Sequence, residues 1–295
     1  MYRSEAECGD TVGAFLREAA AAAEPVLVAL PAERLAQVQD AAAGKAPENR
    51  FEDMREVGRN PNRLLPMIED WVRGHEGATR VVSEAIFPGR SYAETVECLR
   101  HETLLNAVLA DAPATILCPF DAANLDAAAL AGAELTHPSV VEGGRRRASD
   151  AYSGSAELDL DARWPLEPPT GPVDEIDPVG LWDLRRAVAD DPIVGALSRE
   201  RRSDLVLAVN EAATNAVRHN DGAYRTRIWH DGRGVVTELR ADHGLGDRRV
   251  LHGARPAPEA ESGRGLWLIN EVCDLVEFRS DAQGMTLRLH MDDEL

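Results

Sequence analysis

The chain has 295 residues, 44% of them hydrophobic, which is enough for two packed domains of ordinary size. Its 51 acidic residues outnumber 32 basic ones and leave a formal net charge of -19, a balance that argues against a nucleic-acid or anionic-membrane surface, since both need clustered Lys and Arg. The cysteines Cys8, Cys98, Cys118 and Cys273 form no C-x-x-C pair, so neither a disulfide framework nor a zinc site is indicated and a reducing compartment is expected.

The opening MYRSEAECGD has no basic segment leading into an apolar one, and no stretch reaches the length of a membrane span, so the expected location is cytoplasmic. Residues 11–23 carry Val12, Phe15, Leu16 and Ala19 on one helical face, and PVLVALP at 25–31 is a continuous apolar run of the kind buried on both faces of a parallel sheet. The alternation repeats: helix 32–43 and strand 50–54, helix 62–74 and strand 79–87, helix 91–110 and strand 114–121. This half reads as an open α/β sheet covered by helices, with ligands expected beyond the carboxyl ends of the strands, near Glu84, Pro119 and Asp121.

No G-x-x-x-x-G-K-[ST] appears in the chain, so a phosphate-cradling P-loop is missing. On the helix at 91–110, Glu97 and His101 have a spacing that one metal ion could use, but a solvated helix face is the expectation for Glu97, His101, Glu102 and Asn106. From PVLVALP through RNPNRLLPMIEDW, FPGRS and CPFD, residues 1–140 resemble the sensory domain named for methanogens, methylotrophs and the DcmR regulator. The resemblance carries no assigned ligand.

Residues 141–177 lose periodicity and combine Gly, Ser, Pro and charge, which reads as an interdomain linker with one short strand near 156–160. A second domain is expected over 178–295. Leu181, Leu184 and Val188 mark a helix, and Ser198 is a plausible N-cap for the long segment that ends in LVLAVNEAATNAVRHN at 205–220. There Leu205, Val209, Ala212 and Ala216, with Val206, Ala213 and Val217, form an apolar stripe, while Glu211 and Asn215 lie four apart and share a face. An amide oxygen suits a Mg2+ that completes its shell with water and phosphate, and a carboxylate one turn earlier can orient or deprotonate an attacking hydroxyl. TRIWH and VVTELRAD then read as two strands around DGRG, and Asp242, Gly244 and Gly246 sit where the second strand ends, a place for a buried carboxylate and a closely approaching flat ligand. Residues 247–261 read as a polar loop. Gly263 and Gly265 open a helix at 266–275 whose N-terminus favours an anion, and two alternating strands joined at 281–284 close a mixed sheet with helices on one side.

The order N-E-A-A-T-N, D-H-G-L-G, S-G-R-G-L resembles the N, G1 and G2 boxes of the GHKL ATPase superfamily, with its Bergerat α/β sandwich, over residues 175–295. That resemblance implies ATP and Mg2+ as cofactors, Asn215 as the Mg2+ ligand, Glu211 as the general base and Asp242 as the adenine partner. It also implies that Arg218, Gly244, Gly246, Gly263, Arg264, Gly265 and Leu266 belong to the nucleotide-binding set. The wording NEAATNA and the S-G-x-G-L spelling are similar to anti-sigma factors of the RsbW and SpoIIAB type. By that resemblance the protein would sequester a sigma factor and phosphorylate a serine or threonine of an anti-anti-sigma (STAS) antagonist in transcription control of the stress-response kind. The same resemblance implies a homodimer, with the first domain sensing a signal. Two other readings stay open: a sensor histidine kinase, for which His101-Glu102 superficially suits an acceptor helix, and a nucleotide-dependent binding module without phosphotransfer. His243 inside the first glycine box and the short loop depart from the larger GHKL machines and imply slow turnover of free ATP.

Overall fold

The computed structural model describes residues 1–42, 49–154, 160–177, 180–219, 224–241, 264–281 and 284–293, and the chain divides into two compact units, Met1–Trp164 and Pro165–Leu295.

In the first unit the apolar run becomes β1 (Val26–Leu30), buried at every position, and it stands inside a parallel sheet with β2 (Asn49–Asp53), β3 (Thr79–Ser83) and β4 (Ala114–Leu117). The order is β2-β1-β3-β4, with Val28 opposite both Phe51 and Val82. Alternate β1 residues feed two cores, as the two-residue period of a strand requires. Val26, Val28 and Leu30 pack with Val12 and Leu16 of α1 (Glu5–Ala22), whereas Leu27 packs with Ile68 and Val72 of α4 (Leu64–Arg73) and Leu105 of α5 (Tyr92–Val108). Between them lie α2 (Ala32–Ala42) and the single turn α3 (Met54–Val57), and α6 (Ala127–Thr136) follows β4.

The helix starts are set by their caps. Ser91 and Glu94 form a reciprocal capping box on α5, and Asp126 accepts from Ala129 N at 2.7 Å on α6. Gly132 of α6 allows close packing: a methyl group there would lie 2.6 Å from Leu99 Cδ1 of α5.

Two expectations are corrected here. The polar stretch of α5 is not a solvated face: Glu97, His101 and Glu102 are buried and Asn106 is half-buried, because α4, α6 and, through Leu27 and Val81, the sheet pack against the helix. The stretch expected as a linker holds most of an antiparallel hairpin, β5 (Ser139–Glu142) and β6 (Arg145–Ala148), turned by Gly143 and Gly144 at positive φ, then a short helix α7 (Leu160–Arg163) and a strand β7 (Asp174–Ile176). The short strand expected near 156–160 lies mostly outside the described residues.

The second unit has the α/β sandwich expected of it. Helices α8 (Leu181–Asp190), α9 (Arg199–His219) and α10 (Arg264–Val272) accompany a five-stranded sheet of order β10-β11-β9-β8-β7. Its strands besides β7 are β8 (Tyr224–His230), β9 (Gly234–Ala241), β10 (Leu275–Asp281) and β11 (Gly284–Asp292). All described pairings in it are antiparallel, whereas the sequence suggested a mixed sheet. Alternation sorts the two faces. Ile228, Val235, Leu239, Val276, Phe278, Leu287 and Leu289 share one core with Leu205, Val209, Ala212 and Ala216 of α9.

The other face carries charge. Arg227, Glu238, Arg288 and Glu277 are successive cross-strand partners on β8, β9, β11 and β10, a row alternating in sign. Arg227 Nη2 reaches Glu238 Oε1 at 2.5 Å, Arg288 Nε reaches Glu238 Oε2 at 2.9 Å, and the Arg288 guanidinium stacks over Trp229. At one end His290 Nε2 meets Glu277 Oε2 at 2.9 Å. Burial alone would lower the His290 pKa, but hydrogen bonds with Asp231 and Glu277 prevail and raise it to about 9. Among the described residues no helix is long and apolar enough to cross a membrane.

Candidate nucleotide site

The candidate site is built on α9. Ser198 caps this helix by accepting from Arg201 N at 3.3 Å, as its sequence position suggested. Two arginines in the first turn then fasten the helix: Arg201 pairs with Asp274, and Arg202 donates to Ala189 O of α8. With Leu205, Ala208, Val209, Ala212, Ala213 and Ala216 buried, the helix has one rotational setting. Val217 departs from the expected stripe and is 41% exposed.

That setting leaves Glu211 and Asn215 half-buried, one turn apart. The first residue of the N-E-A-A-T-N run, Asn210, is fixed from α8: Arg185 Nε donates to Asn210 Oδ1 at 2.5 Å. Asn210 Nδ2 lies 3.5 Å from Glu211 Oε1, at the limit of a hydrogen bond. The positioning roles of Arg185 and Asn210 are missed by sequence reasoning, in which Asn210 stands out only as the first letter of the box and Arg185 carries no signal.

The second glycine box meets this pair. Arg264, Gly265 and Leu266 form the first turn of α10, and a methyl group placed on Gly265 would lie 2.8 Å from Glu211 Oε2 and 3.4 Å from Asn215 Nδ2. Two segments some fifty residues apart in sequence therefore converge on one spot, where a carboxylate, an amide and the start of a helix face each other. A side chain at 265 would push the Glu211 carboxylate aside, so glycine leaves that carboxylate where it stands. The positive dipole end of α10 favours an anionic ligand there. Of the other expected site residues, Arg218 is on α9 and exposed, while Asp242, Gly244, Gly246 and Gly263 lie outside the described residues.

Comparison with known families agrees with this division. Residues 1–138 match the model of the MEDS domain, the methanogen/methylotroph, DcmR sensory domain, and residues 181–291 match the model of the histidine kinase-like ATPase domain. The chain carries a MEDS sensory domain and a histidine-kinase-like ATPase domain. No curated protein matches it.

An ATPase domain of this kind implies ATP, typically with Mg2+. The donors present fit those groups: Asn215 offers a neutral hard oxygen, Glu211 a carboxylate, and the bare backbone at Gly265 gives room that a side chain would fill.

In the MEDS domain, the acids expected at the strand ends are held internally. Arg34 contacts Glu84 Oε1 at 3.0 Å and Asp121 Oδ2 at 3.7 Å and donates to Glu5, while Tyr2 Oη donates to Glu84 Oε1 at 2.8 Å. Burial pushes the Glu84 carboxyl up to about 7, with Arg34 and Tyr2 opposing the shift only in part. Pro119 instead borders a cavity of about 1090 Å³ between α1, β4 and the β5-β6 hairpin, lined also by Cys8, Phe15, Cys118, Phe120 and His137.

Proposed function

We propose that the protein is an ATP-binding anti-sigma regulatory factor that phosphorylates a serine or threonine of an anti-anti-sigma (STAS) partner under control of its MEDS domain, in the cytoplasm. The observation that carries the nucleotide part is the convergence of Glu211 and Asn215 on Gly265. The partner part rests on the similarity of NEAATNA and S-G-R-G-L to the anti-sigma type, and on an acidic chain suited to a basic sigma-factor surface.

Bound MgATP supplies the transferable γ-phosphoryl group. Asn215 would hold the cation through its amide oxygen, and Glu211 would orient the attacking hydroxyl and accept its proton. Arg185 and Asn210 keep the α8 side of the helix fixed while this happens. Asp242 would hold the adenine amino group, Gly244 and Gly246 would flank the base, and Arg218, Gly263, Arg264 and Leu266 would complete the set.

Calorimetry of ATP with and without Mg2+ tests the site. Magnesium-dependent binding that disappears in Asn215→Ala supports it, and no binding to the folded wild type refutes it. Glu211→Gln should keep nucleotide binding while phosphotransfer falls by about 10²–10⁴-fold.

The chemistry of the label decides among the readings. Acid-stable label on a STAS partner supports the serine or threonine kinase, acid-labile label on the protein supports a sensor histidine kinase, and regulation that survives Glu211→Gln supports a binding module. His101 is fully buried inside the MEDS domain, which weighs against its serving as a phosphoacceptor.

A further inference from the structure

In the MEDS domain three unlike donors meet below the cavity. Glu102 comes from the middle of α5, Cys118 from the end of β4, and His137 from the end of α6. Cys118 Sγ is 3.3 Å and His137 Nε2 is 3.4 Å from the same oxygen, Glu102 Oε2, and the three donor atoms all lie within 4.8 Å of one another.

The two separations from Glu102 Oε2 match a metal's ligand shell. With Zn–N and Zn–O near 2.0–2.2 Å and Zn–S near 2.3 Å, tetrahedral angles put neighbouring donors roughly 3.3–3.6 Å apart. The imidazole is already oriented: its Nδ1 is 2.8 Å from Ala133 O, the kind of outer contact that fixes a ligating histidine and turns Nε2 toward the metal.

A second observation points to something absent from the protein's own hydrogen bonding. Glu102 is buried and its Oε1 has no hydrogen-bond partner among the described residues; neither ring nitrogen of the adjacent His101, fully buried, has one either. Buried polar atoms are ordinarily satisfied, and an unpaired carboxylate oxygen is costly. By contrast, the carboxylates around Arg34 in the same domain have cation or hydroxyl partners.

We propose that Glu102, Cys118 and His137 form a binding site for one divalent transition metal of the zinc class, with the fourth coordination position left to water or to a ligand entering the cavity. One carboxylate, one thiolate and one imidazole is a borderline-soft set that suits Zn2+ and disfavours Mg2+ or Ca2+. Cys118 and His137 also line the cavity, so the ion is reached from it and helps to shape what binds there. On binding, the Cys118 thiol, now donating to Glu102, loses its proton to solvent and the sulfur becomes a ligand; any proton on His137 Nε2 leaves in the same way. No redox step is involved. The cluster escapes sequence inspection because its members, 16 and 19 residues apart, follow no zinc-site spacing.

The test uses the full chain, stripped with chelator and titrated with Co2+ and then Zn2+. One Co2+ per chain should give a thiolate-to-cobalt charge-transfer absorption, and one Zn2+ should remove it. Cys118→Ser should abolish that absorption, while Glu102→Gln and His137→Gln should weaken Zn2+ binding by at least the ~10–100-fold seen for loss of outer-shell partners. Cys8→Ser, in the same cavity, should change nothing.

Absence of the absorption in the folded wild type, or its survival in Cys118→Ser, overturns the site. Alkylation mapping of the wild type covers the case of a variant that does not fold: Zn2+ must slow labelling of Cys118, and unchanged labelling refutes the proposal.

Discussion

The two domains bury charge in different places. In the MEDS domain a single guanidinium, Arg34, sits where strands end and serves Glu84, Asp121 and Glu5. In the ATPase domain four charges alternate across the middle of four strands. The difference follows from the sheets. A parallel sheet covered by helices on both faces has no face to give to charge, so the charges beside it gather at strand ends, and the other buried charges of that domain, Glu97, Arg100 and Glu102, sit on α5, whereas an antiparallel sheet with helices on one side can carry a ladder on the other. A hub with one cation should fail all at once. A ladder should fail in part.

Replacing the hub gives the largest effect. Arg34→Met leaves two buried carboxylates without their cation and should cost the MEDS domain about 3–5 kcal/mol in urea unfolding. Adding Glu84→Met should restore a large part of that loss; if the double variant is no better than the single, the hub is not what Arg34 supplies.

The pH dependence sharpens the contrast. Glu84 titrates at about 7 in the fold against an ordinary 4.5, so the folded domain holds the proton more tightly. Its contribution is complete below pH 4.5 and lost as pH rises through 7, as much as about 3 kcal/mol. His290 titrates at about 9 against 6.5, so the ATPase domain keeps that contribution below pH 6.5 and loses a similar amount as pH rises through 9. Hydrogen exchange resolved by domain should show the MEDS domain weakening first, and His290→Gln should flatten the second slope.

Smaller changes test the ladder. Glu238→Met should cost about 1–3 kcal/mol, less than Arg34→Met, because Arg227 is partly exposed and Arg288 keeps Trp229 and the carbonyl of Glu167. A cost equal to that of Arg34→Met would remove the distinction. Smallest of all, Ser198→Ala should cost about 1 kcal/mol through the lost α9 cap, without changing which residues face Gly265.

Much of this architecture is legible in the residues. VLVAL announces a fully buried strand, TRIWH and VVTELRAD announce two strands around DGRG, and the stripe from Leu205 to Ala216 orients α9, so that Glu211 and Asn215 come out together. Gly265 was legible as a glycine opening a helix whose N-terminus favours an anion.

What could not be read depends on tertiary enclosure. Glu97, His101 and Glu102 have the composition of a wet helix face and become buried only because α4, α6 and the sheet enclose them. The Arg227–Glu238–Arg288–Glu277 row needs the strand register, which no single segment specifies. The hairpin at 139–148 hid in a polar, glycine-containing stretch because its outward residues, Arg145 to Ala148, are exposed.

Gly132 has a consequence of another kind. The methyl group it lacks is what lets α6 lie against Leu99, and α6 ends at Thr136, directly before His137. A point mutation to alanine would press on the Leu99 methyl groups, so either that side chain or α6, at whose end His137 meets Glu102, has to give, while every donor atom stays in the sequence. Related chains should therefore be sorted by what stands at this position as much as by whether they keep the histidine.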